Sequence, residues 1–568
     1  MSKEAENTDA PDSEVAFEPS LVAGEGTARG AEEVPVVEDA PPTPGIEHID
    51  IGIVGGGLSG VYAAHKLRSL HPDKRIFVFE GTGVVGGKQS IPFSNSSGTG
   101  FVDNTKHNGA YFIPTEQPLT AALLSQIQVK SHKLVDTTND SNFTEFRGAS
   151  VQHNSFGDNH PSNILKAALD SFFREYPEDN VNEPYTSKRL RNTSVLNMLE
   201  NYSGVKDDKV DATLTYFGED IDALRNMSMA SFLLQYPVLT AHARHTHTVD
   251  GGIQGLILNM LATSQAELQL GWRLEGIAID ADTGTKHLRL WSDTGNSGKT
   301  VIANTVLLCV SPEDAMEIGK KGSQVLANNT SLNVKAWSPT NVISKLLPIP
   351  HFKAFLRWKI PWWTKFGLRA NKSTTDRILQ NIIYCDGGIM CIHATGKNAL
   401  SLKDQFDGNP DQAIMNLCEE LREMHSLDRD DTDKLPNIPA KETNALWKFW
   451  SEGSFTWETG DYDVSMSLRD IQCGGVNLPD GVFLCGSPYA LSPGWMESAL
   501  RSVENVLNYI ELDVELWQAV EDGNVARMEE ALIEGKNIFN INRINGFTLL
   551  HKAAELGDAD MVDMLQGG

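Results

Sequence analysis

The sequence has no apolar run long enough to cross a bilayer, and its first residues hold no apolar stretch of the kind a signal peptide needs. Membrane-spanning and secreted classes are therefore not expected, and sequons such as Asn95-Ser96-Ser97 should stay unglycosylated. Cysteine is scarce. The six thiols (Cys309, Cys385, Cys391, Cys418, Cys473 and Cys485) form no CxxC pair and no metal-ligand spacing. That speaks against a disulfide framework, a zinc ribbon or a dithiol redox motif, and points to small buried side chains in a reducing, cytoplasmic setting. Positive charge is also short: 48 Lys and Arg face 75 Asp and Glu, a net charge of −27. With no sizeable basic region, nucleic acid is not an expected partner. Nor is there a GxSxG elbow, so a Ser-His-Asp hydrolase is not signalled.

Across 568 residues, 40% of them hydrophobic, there is material for about two to four structural units. Residues 1–45 are rich in Glu, Asp, Pro and Ala and are expected to be a disordered acidic tail, since they bury too little to offset their ordering entropy. Order is expected from Ile46. IDIGIV (Ile49 to Val54) suits a buried parallel strand. Leu58 to Leu70 has helical spacing, with Val61, Ala64 and Leu67 on one face, and RIFVF (Arg75 to Phe79) reads as a second strand. Together they make a βαβ unit. At the other end, Ala519 and Gly523 recur 34 positions later as Ala553 and Gly557. TLLHKAAELG (Thr548 to Gly557) resembles the ankyrin signature TPLHxAAxxG, whose period is close to this. Two such repeats seldom stand alone, so residues 512–568 are expected to dock on the preceding domain or to continue in further repeats. An ordinary helical cap is the alternative.

The stretch GIVGGGLSGVYAAHKL (Gly52 to Leu67) lies between the first strand and the helix and carries G-x-G-x-x-G at Gly55, Gly57 and Gly60. The first glycine permits the tight turn. The second lets the backbone approach a pyrophosphate, and the third lets helix pack on strand. The helix, opening with Leu58 and Ser59, then points its positive end at the phosphates. Glu80 stands 20 residues after Gly60, where an acid accepts both ribose hydroxyls and repels a 2′-phosphate. The unit is read as dinucleotide-binding, with NADP disfavoured.

The residues after Glu80 narrow the choice of dinucleotide. In GTGVVGGKQS, the pair Gly86-Gly87 resembles the GG motif of the FAD-dependent amine oxidase superfamily. That family has arginine next; here Lys88 stands there and offers a phosphate one cation without the flat two-pronged contact. Val102, Asp103, Gly109, Tyr111 and Pro114-Thr115 resemble a further family stretch, with NTKHN inserted. TVDGGIQGLILNMLA (Thr248 to Ala262) looks like its glycine-led helix, and LQLGWRLEGIAID (Leu268 to Asp280) like its strand pair near adenine. The best match is PDGVFLCGSPYALSPGWMESALRSVENVL (Pro479 to Leu507), similar to the terminal FAD motif of monoamine oxidases. It implies a strand to Cys485, a turn at Gly486 and Ser487, and a helix starting near Trp495 and Met496 whose N–H groups face the flavin. Pro488 departs from the glutamate common there.

Two more stretches carry site residues through the same resemblance. In FKAFLRWKIPWW (Phe352 to Trp363), Lys353 falls on the lysine that holds a water near flavin N5. In WSEGSFTW (Trp450 to Trp457), Ser454 stands where that family has the cysteine linked to flavin, so FAD is expected to be noncovalent. Phe455 and Trp495 replace the two tyrosines of the family's aromatic cage.

The resemblance implies an α/β fold. A Rossmann-like FAD-binding domain (46–118, 245–312 and 465–510) is interleaved with a mixed-sheet substrate domain (119–244 and 313–464), followed by a small helical, ankyrin-like C-terminus. The implied activity is oxidation of an amine or amino-acid-like substrate, with flavin as hydride acceptor and O2 as reoxidant. A flavin-dependent desaturase or double-bond isomerase of a lipid or isoprenoid is a second reading, marked by a long apolar tunnel and no peroxide. A third is an FAD-binding module that tethers a protein partner through its repeats. His242, His245 and His247 lie close together but lack an acidic or cysteine partner, so no metal is expected. The basic, aromatic run from Lys353 to Arg369 is read as a Trp-rich core strand rather than a membrane-facing surface.

Overall fold

The apolar run at Ile49 forms a strand that is buried along most of its length, with parallel neighbours on both sides. Such a strand needs continuous rather than alternating hydrophobicity, and its sequence supplies it. The computed structural model describes residues 47–567, apart from internal stretches of which the longest are 96–112, 153–159, 326–338, 426–443 and 534–548. The acidic N-terminal segment, Val102, Asp103, Gly109, Tyr111, Thr115 and Cys473 lie outside the described residues.

The first strands are β1 (Glu47–Val54), β2 (Ile76–Glu80), β3 (Ser94–Asn95), β4 (Ile113–Pro114), β5 (Ser131–Asp136), β6 (Phe143–Phe146), β7 (Ala149–Gln152) and β8 (His245–Val249). Then come β9 (Glu267–Leu270), β10 (Arg273–Ile279), β11 (Lys286–Ser292), β12 (Ser297–Leu308) and β13 (Leu346–Arg357). Last are β14 (Asn371–Thr375), β15 (Asn381–Tyr384), β16 (Ile389–Thr395), β17 (Asn444–Trp457) and β18 (Val482–Leu484).

They form three sheets. The first has seven strands in the order β10-β11-β12-β1-β2-β9, with β18 beside β12. Its strands β9, β2, β1, β12 and β18 run parallel, so their carboxyl ends open on one edge. Ligands of open α/β sheets bind outside that edge. The second sheet has eight strands in the order β3-β17-β13-β16-β15-β14-β6-β7, and the third is β4-β8-β5. His245 and His247 lie on the middle strand of this third sheet. Leu268 to Asp280 does not fold as paired strands: β9 joins β2 while β10 joins β11, at opposite edges of the first sheet.

The helix Leu58–Leu70 packs its Val61, Ala64 and Leu67 face against Leu256 of the helix Gly252–Ser264 and Leu500 and Val503 of the helix Met496–Glu511. Tyr62 donates its hydroxyl proton to Glu504, which also pairs with Lys66 at 3.0 Å. The helix Pro118–Ile127 adds Leu123 and Leu124 to this same core, although sequence reasoning ends the nucleotide domain at 118. The reason is a long-range cap: Glu497 accepts from the amides of Leu119 and Thr120 at 3.2 and 3.0 Å. Conversely, Ser94–Asn95 pairs with β17 and so belongs to the second sheet.

Trp358, Trp362 and Trp363 are buried and meet edge to face at 5.6 to 6.1 Å, so the aromatic run is core. Next to them lies His425, buried between Tyr384 and the helix Pro410–Met424. Its Nδ1 faces the Leu421 carbonyl at 2.7 Å and must donate, so Nε2 accepts from the Tyr384 hydroxyl at 2.6 Å. Burial holds this imidazole neutral and pulls its pKa down to about 4. The unfolded chain binds that proton near pH ~6.5, so stability is full above that pH and falls as pH drops towards 4. The expected loss is at most about 3 kcal/mol. Urea midpoints measured across this range should fall with acid, and His425→Gln should flatten the slope.

Four C-terminal helices, Val514–Glu521, Val525–Ile533, Leu549–Leu556 and Ala559–Gly567, share their own buried cluster around Leu516, Val520, Met528, Leu549 and Met561. The two pairs turn alike. Gly523 and Gly557 both take positive φ (63° and 70°), and Asn524 and Asp558 then cap the second helix of each pair. Among the described residues, no helix is long and apolar enough to cross a membrane.

Candidate functional site

One cavity of about 650 Å3 lies at the carboxyl edge of the first sheet and extends to the second. Val54, Glu80, Cys309 and Gly486, each at or just past the end of a parallel strand, form its floor. Gly55, Gly57, Leu58, Ser59, Gly86, Gly87, Lys88, Ser487, Trp495 and Met496 line it as well. So do Lys353 and Phe455 from the second sheet. Gly60, the third glycine of the loop, is outside the lining, because it works from behind. A Cβ there would sit 1.9 Å from the Gly55 carbonyl oxygen, so only glycine lets this helix approach its strand.

The loop is shaped to hold an extended ligand. Gly55 takes φ +103° while its amide is fixed to the Phe79 carbonyl at 2.7 Å. Gly86 donates to the Gly56 carbonyl at 2.8 Å, which brings Gly87 against Gly57; a Cβ on Gly87 would lie 3.2 Å from the Gly57 Cα. The helix Leu58–Leu70 starts without a side-chain cap, and its first turn lines the cavity. Uncapped N–H groups at a helix start favour an anion. These features fit a dinucleotide.

Glu80 is buried, and its carboxylate is partly spent on the protein. Oε2 accepts from the Gly56 amide at 2.8 Å, and Oε1 from the Thr82 amide and hydroxyl, each at 2.8 Å. A carboxylate offers about four acceptor positions. One remains, on Oε2, so Glu80 has room for a single ribose hydroxyl rather than the two expected from sequence. Lys88 also differs from its expected phosphate role. Its ammonium donates to the main-chain carbonyls of Glu452 and of Gly453, the latter at 3.3 Å, and lies 5.2 Å from the Phe455 ring. Burial pulls its pKa down to about 8, with nearby Glu452 opposing.

The second sheet adds two residues that sequence reasoning missed, His351 and His393, beside the expected Ser454. His351 Nε2 lies 2.8 Å from Ser454 Oγ, and its Nδ1 lies 3.1 Å from His393 Nε2. All three line the cavity, together with Trp450. Burial, then the charges of Lys353 and Lys88, push His351 down to about 3, so it is a neutral imidazole at physiological pH. The spacing of His351 and Lys353 carried a signal for one of them, since residues two apart share a strand face. No local signal could mark His393, which reaches His351 across the β13–β16 pairing. Among the described residues, no group of His, Cys, Asp or Glu has a metal-binding arrangement.

Residues 53–126 match the family model of an NAD(P)-binding Rossmann-like domain. An uncharacterised protein of Acanthamoeba polyphaga mimivirus is 20% identical over 506 residues, covering 81% of this chain and 93% of that protein. Among solved structures, a wild-type putrescine oxidase bound to putrescine matches with a TM-score of 0.58 at 14% identity, covering 82% of this chain and 100% of that one. A double mutant of a putrescine oxidase, redesigned in cofactor binding, matches with a TM-score of 0.55 at the same identity and coverage. The chain thus shares its fold with an amine oxidase.

Proposed function

We propose that this chain is an FAD-dependent oxidoreductase that oxidises an amine or amino-acid-like substrate bearing an apolar group. The observation that carries the reading is one continuous cavity running from the glycine loop to Lys353, Phe455 and Trp495. The fold shared with a putrescine oxidase supports it. FAD, when bound, supplies the hydride acceptor and passes the electrons on to O2. Gly57 and the first turn of the helix Leu58–Leu70 hold the pyrophosphate, and Glu80 takes one ribose hydroxyl. Lys353, only 7% exposed, supplies positive charge beside the reacting atoms, where a low-dielectric setting makes it count. Phe455 and Trp495 exclude water. Ser454 has a hydroxyl where a thioether would need a thiol, so the flavin is held noncovalently.

The absorbance spectrum of the purified protein, before and after acid precipitation, tests this. Bands near roughly 375 and 450 nm, moving wholly to the supernatant, are expected. Colour kept in the pellet would contradict the noncovalent reading. A colourless protein that cannot be reconstituted with FAD would overturn the assignment.

The C-terminal helix pairs are read as two ankyrin-like repeats that bind a protein partner. Their matched turns at Gly523 and Gly557 support this, and the five free cysteines among the described residues accord with a cytoplasmic setting. Removing residues 512–568 is expected to leave flavin content unchanged.

A further inference from the structure

The two ends of the cavity differ in charge. The second sheet lines it with His351 and Lys353 of β13, His393 of β16, and Trp450, Ser454 and Phe455 of β17. Every titratable side chain in that set is basic. Lys88 brings another ammonium to the Phe455 ring, and Lys448 stands opposite Lys353 in the β13–β17 register. The carboxylates that line the cavity come from β2, β10 and the helix Pro312–Val325, none from the second sheet, and each is engaged. Glu80 is held by Gly56 and Thr82, Glu275 by Arg289 at 3.5 Å, Glu317 by Lys321, and Asp314 by the Ser311 hydroxyl at 2.9 Å. Glu452, on β17 itself, is not among the lining residues; its carboxyl lies near Lys88 and bonds to Ser311.

A cationic ligand at the second-sheet wall would therefore meet two ammonium groups and no lining carboxylate. An anion would meet the reverse. The hydrogen-bond chain adapts to it: with His393 donating to His351 and His351 donating to Ser454, the Ser454 hydroxyl is left to donate into the cavity. The rings of Phe455, Trp450 and Trp495 supply apolar surface beside it.

We propose that the wall formed by Lys353, His351 and Ser454 receives a carboxylate of the substrate, so that the preferred substrate is an apolar molecule bearing a carboxylate rather than a di- or polyamine. This rests on the FAD-dependent reading above. It separates this chain from its fold neighbour, whose solved structure holds putrescine, a dication. The substrate amine reaches the site uncharged, since a second positive charge there would be repelled by Lys353.

The test titrates the FAD-loaded protein at neutral pH with benzoate, with benzyl alcohol as a neutral isostere, and with putrescine. Flavin difference spectra and titration calorimetry are read on the same samples. Benzoate is expected to bind at least about tenfold more tightly than either of the others, and more weakly as salt rises. Lys353→Met should weaken benzoate about tenfold or more while leaving benzyl alcohol unchanged, and Lys353→Arg should keep most of the benzoate affinity. Putrescine binding more tightly than benzoate would overturn the proposal. So would equal affinities for benzoate and benzyl alcohol, no benzoate binding at millimolar concentration, or benzoate affinity indifferent to Lys353→Met. A protein that retains no flavin overturns the underlying function instead, so the two failures are told apart.

Discussion

Gly60→Ala is expected to strip the protein of its flavin. The added Cβ would lie 1.9 Å from the Gly55 carbonyl oxygen and 3.3 Å from the Ile53 side chain. The Gly55 oxygen cannot retreat, because that residue is held at φ +103° with its amide on Phe79. The helix Leu58–Leu70 must move outward instead, carrying its N-terminus away from the cavity. Its own packing resists, since Val61 and Leu67 are wholly buried. Flavin content per protein, read from absorbance, should fall about tenfold or more, with the melting temperature several degrees lower. Gly83→Ala is the control: nothing lies within 4 Å of a Cβ there, and flavin content should hold. A Gly60→Ala protein with full flavin content would show that this helix start does not hold the cofactor.

Lys353→Met should slow substrate-driven flavin reduction by about 10²- to 10³-fold. Lys353 sits in the middle of β13, flanked by β16 and β17, so its backbone is held in place by two ladders of main-chain hydrogen bonds. Methionine keeps the length and apolar stem but removes the charge. Rapid-mixing measurements of flavin bleaching separate this from a folding defect, provided urea midpoints are compared on the same variant. A lysine that only fills the strand would change the midpoint and leave the rate. Because His351 is held neutral partly by Lys353, the variant should also let the His351 pKa rise from about 3. Imidazole resonances followed against pH would register that change, and a purely structural lysine far from His351 would not cause it.

Part of the site was legible in the sequence because its parts are local. Gly55, Gly57 and Gly60 sit within six residues of each other inside one βαβ unit, where Gly55 takes a positive φ and Gly60 makes a helix contact that no side chain could share. Glu80 could be placed because it ends the strand next to that loop. The helix Leu58–Leu70 matched its expected bounds, since its apolar spacing and its glycine start are set by the same short stretch. Lys88 shows the limit of this reasoning. Its position beside Gly87 is local, but its ammonium is claimed by carbonyls of Glu452 and Gly453, more than 360 residues away. The strands β9 and β10 make the same point, since adjacent segments were sent to opposite edges of one sheet.

The sequence by itself determined that the chain opens its ordered part with a dinucleotide-type βαβ unit and that two similar helix pairs follow later; Lys353, Phe455 and Trp495 became candidates for one site only through the family resemblance. Hydrophobic periodicity and glycine spacing act over a few residues, so they can be read without the fold. Tertiary structure alone decided the hydrogen bonding at the second-sheet wall of the cavity. His351, His393 and Ser454 meet because β13 pairs with β16 on one side and β17 on the other, joining residues 42 and 103 positions apart. The neutrality of His351 follows from burial first, then from Lys353 two residues along the same strand and from Lys88, brought in from the glycine loop; the burial and the distant Lys88 are encoded by no local pattern.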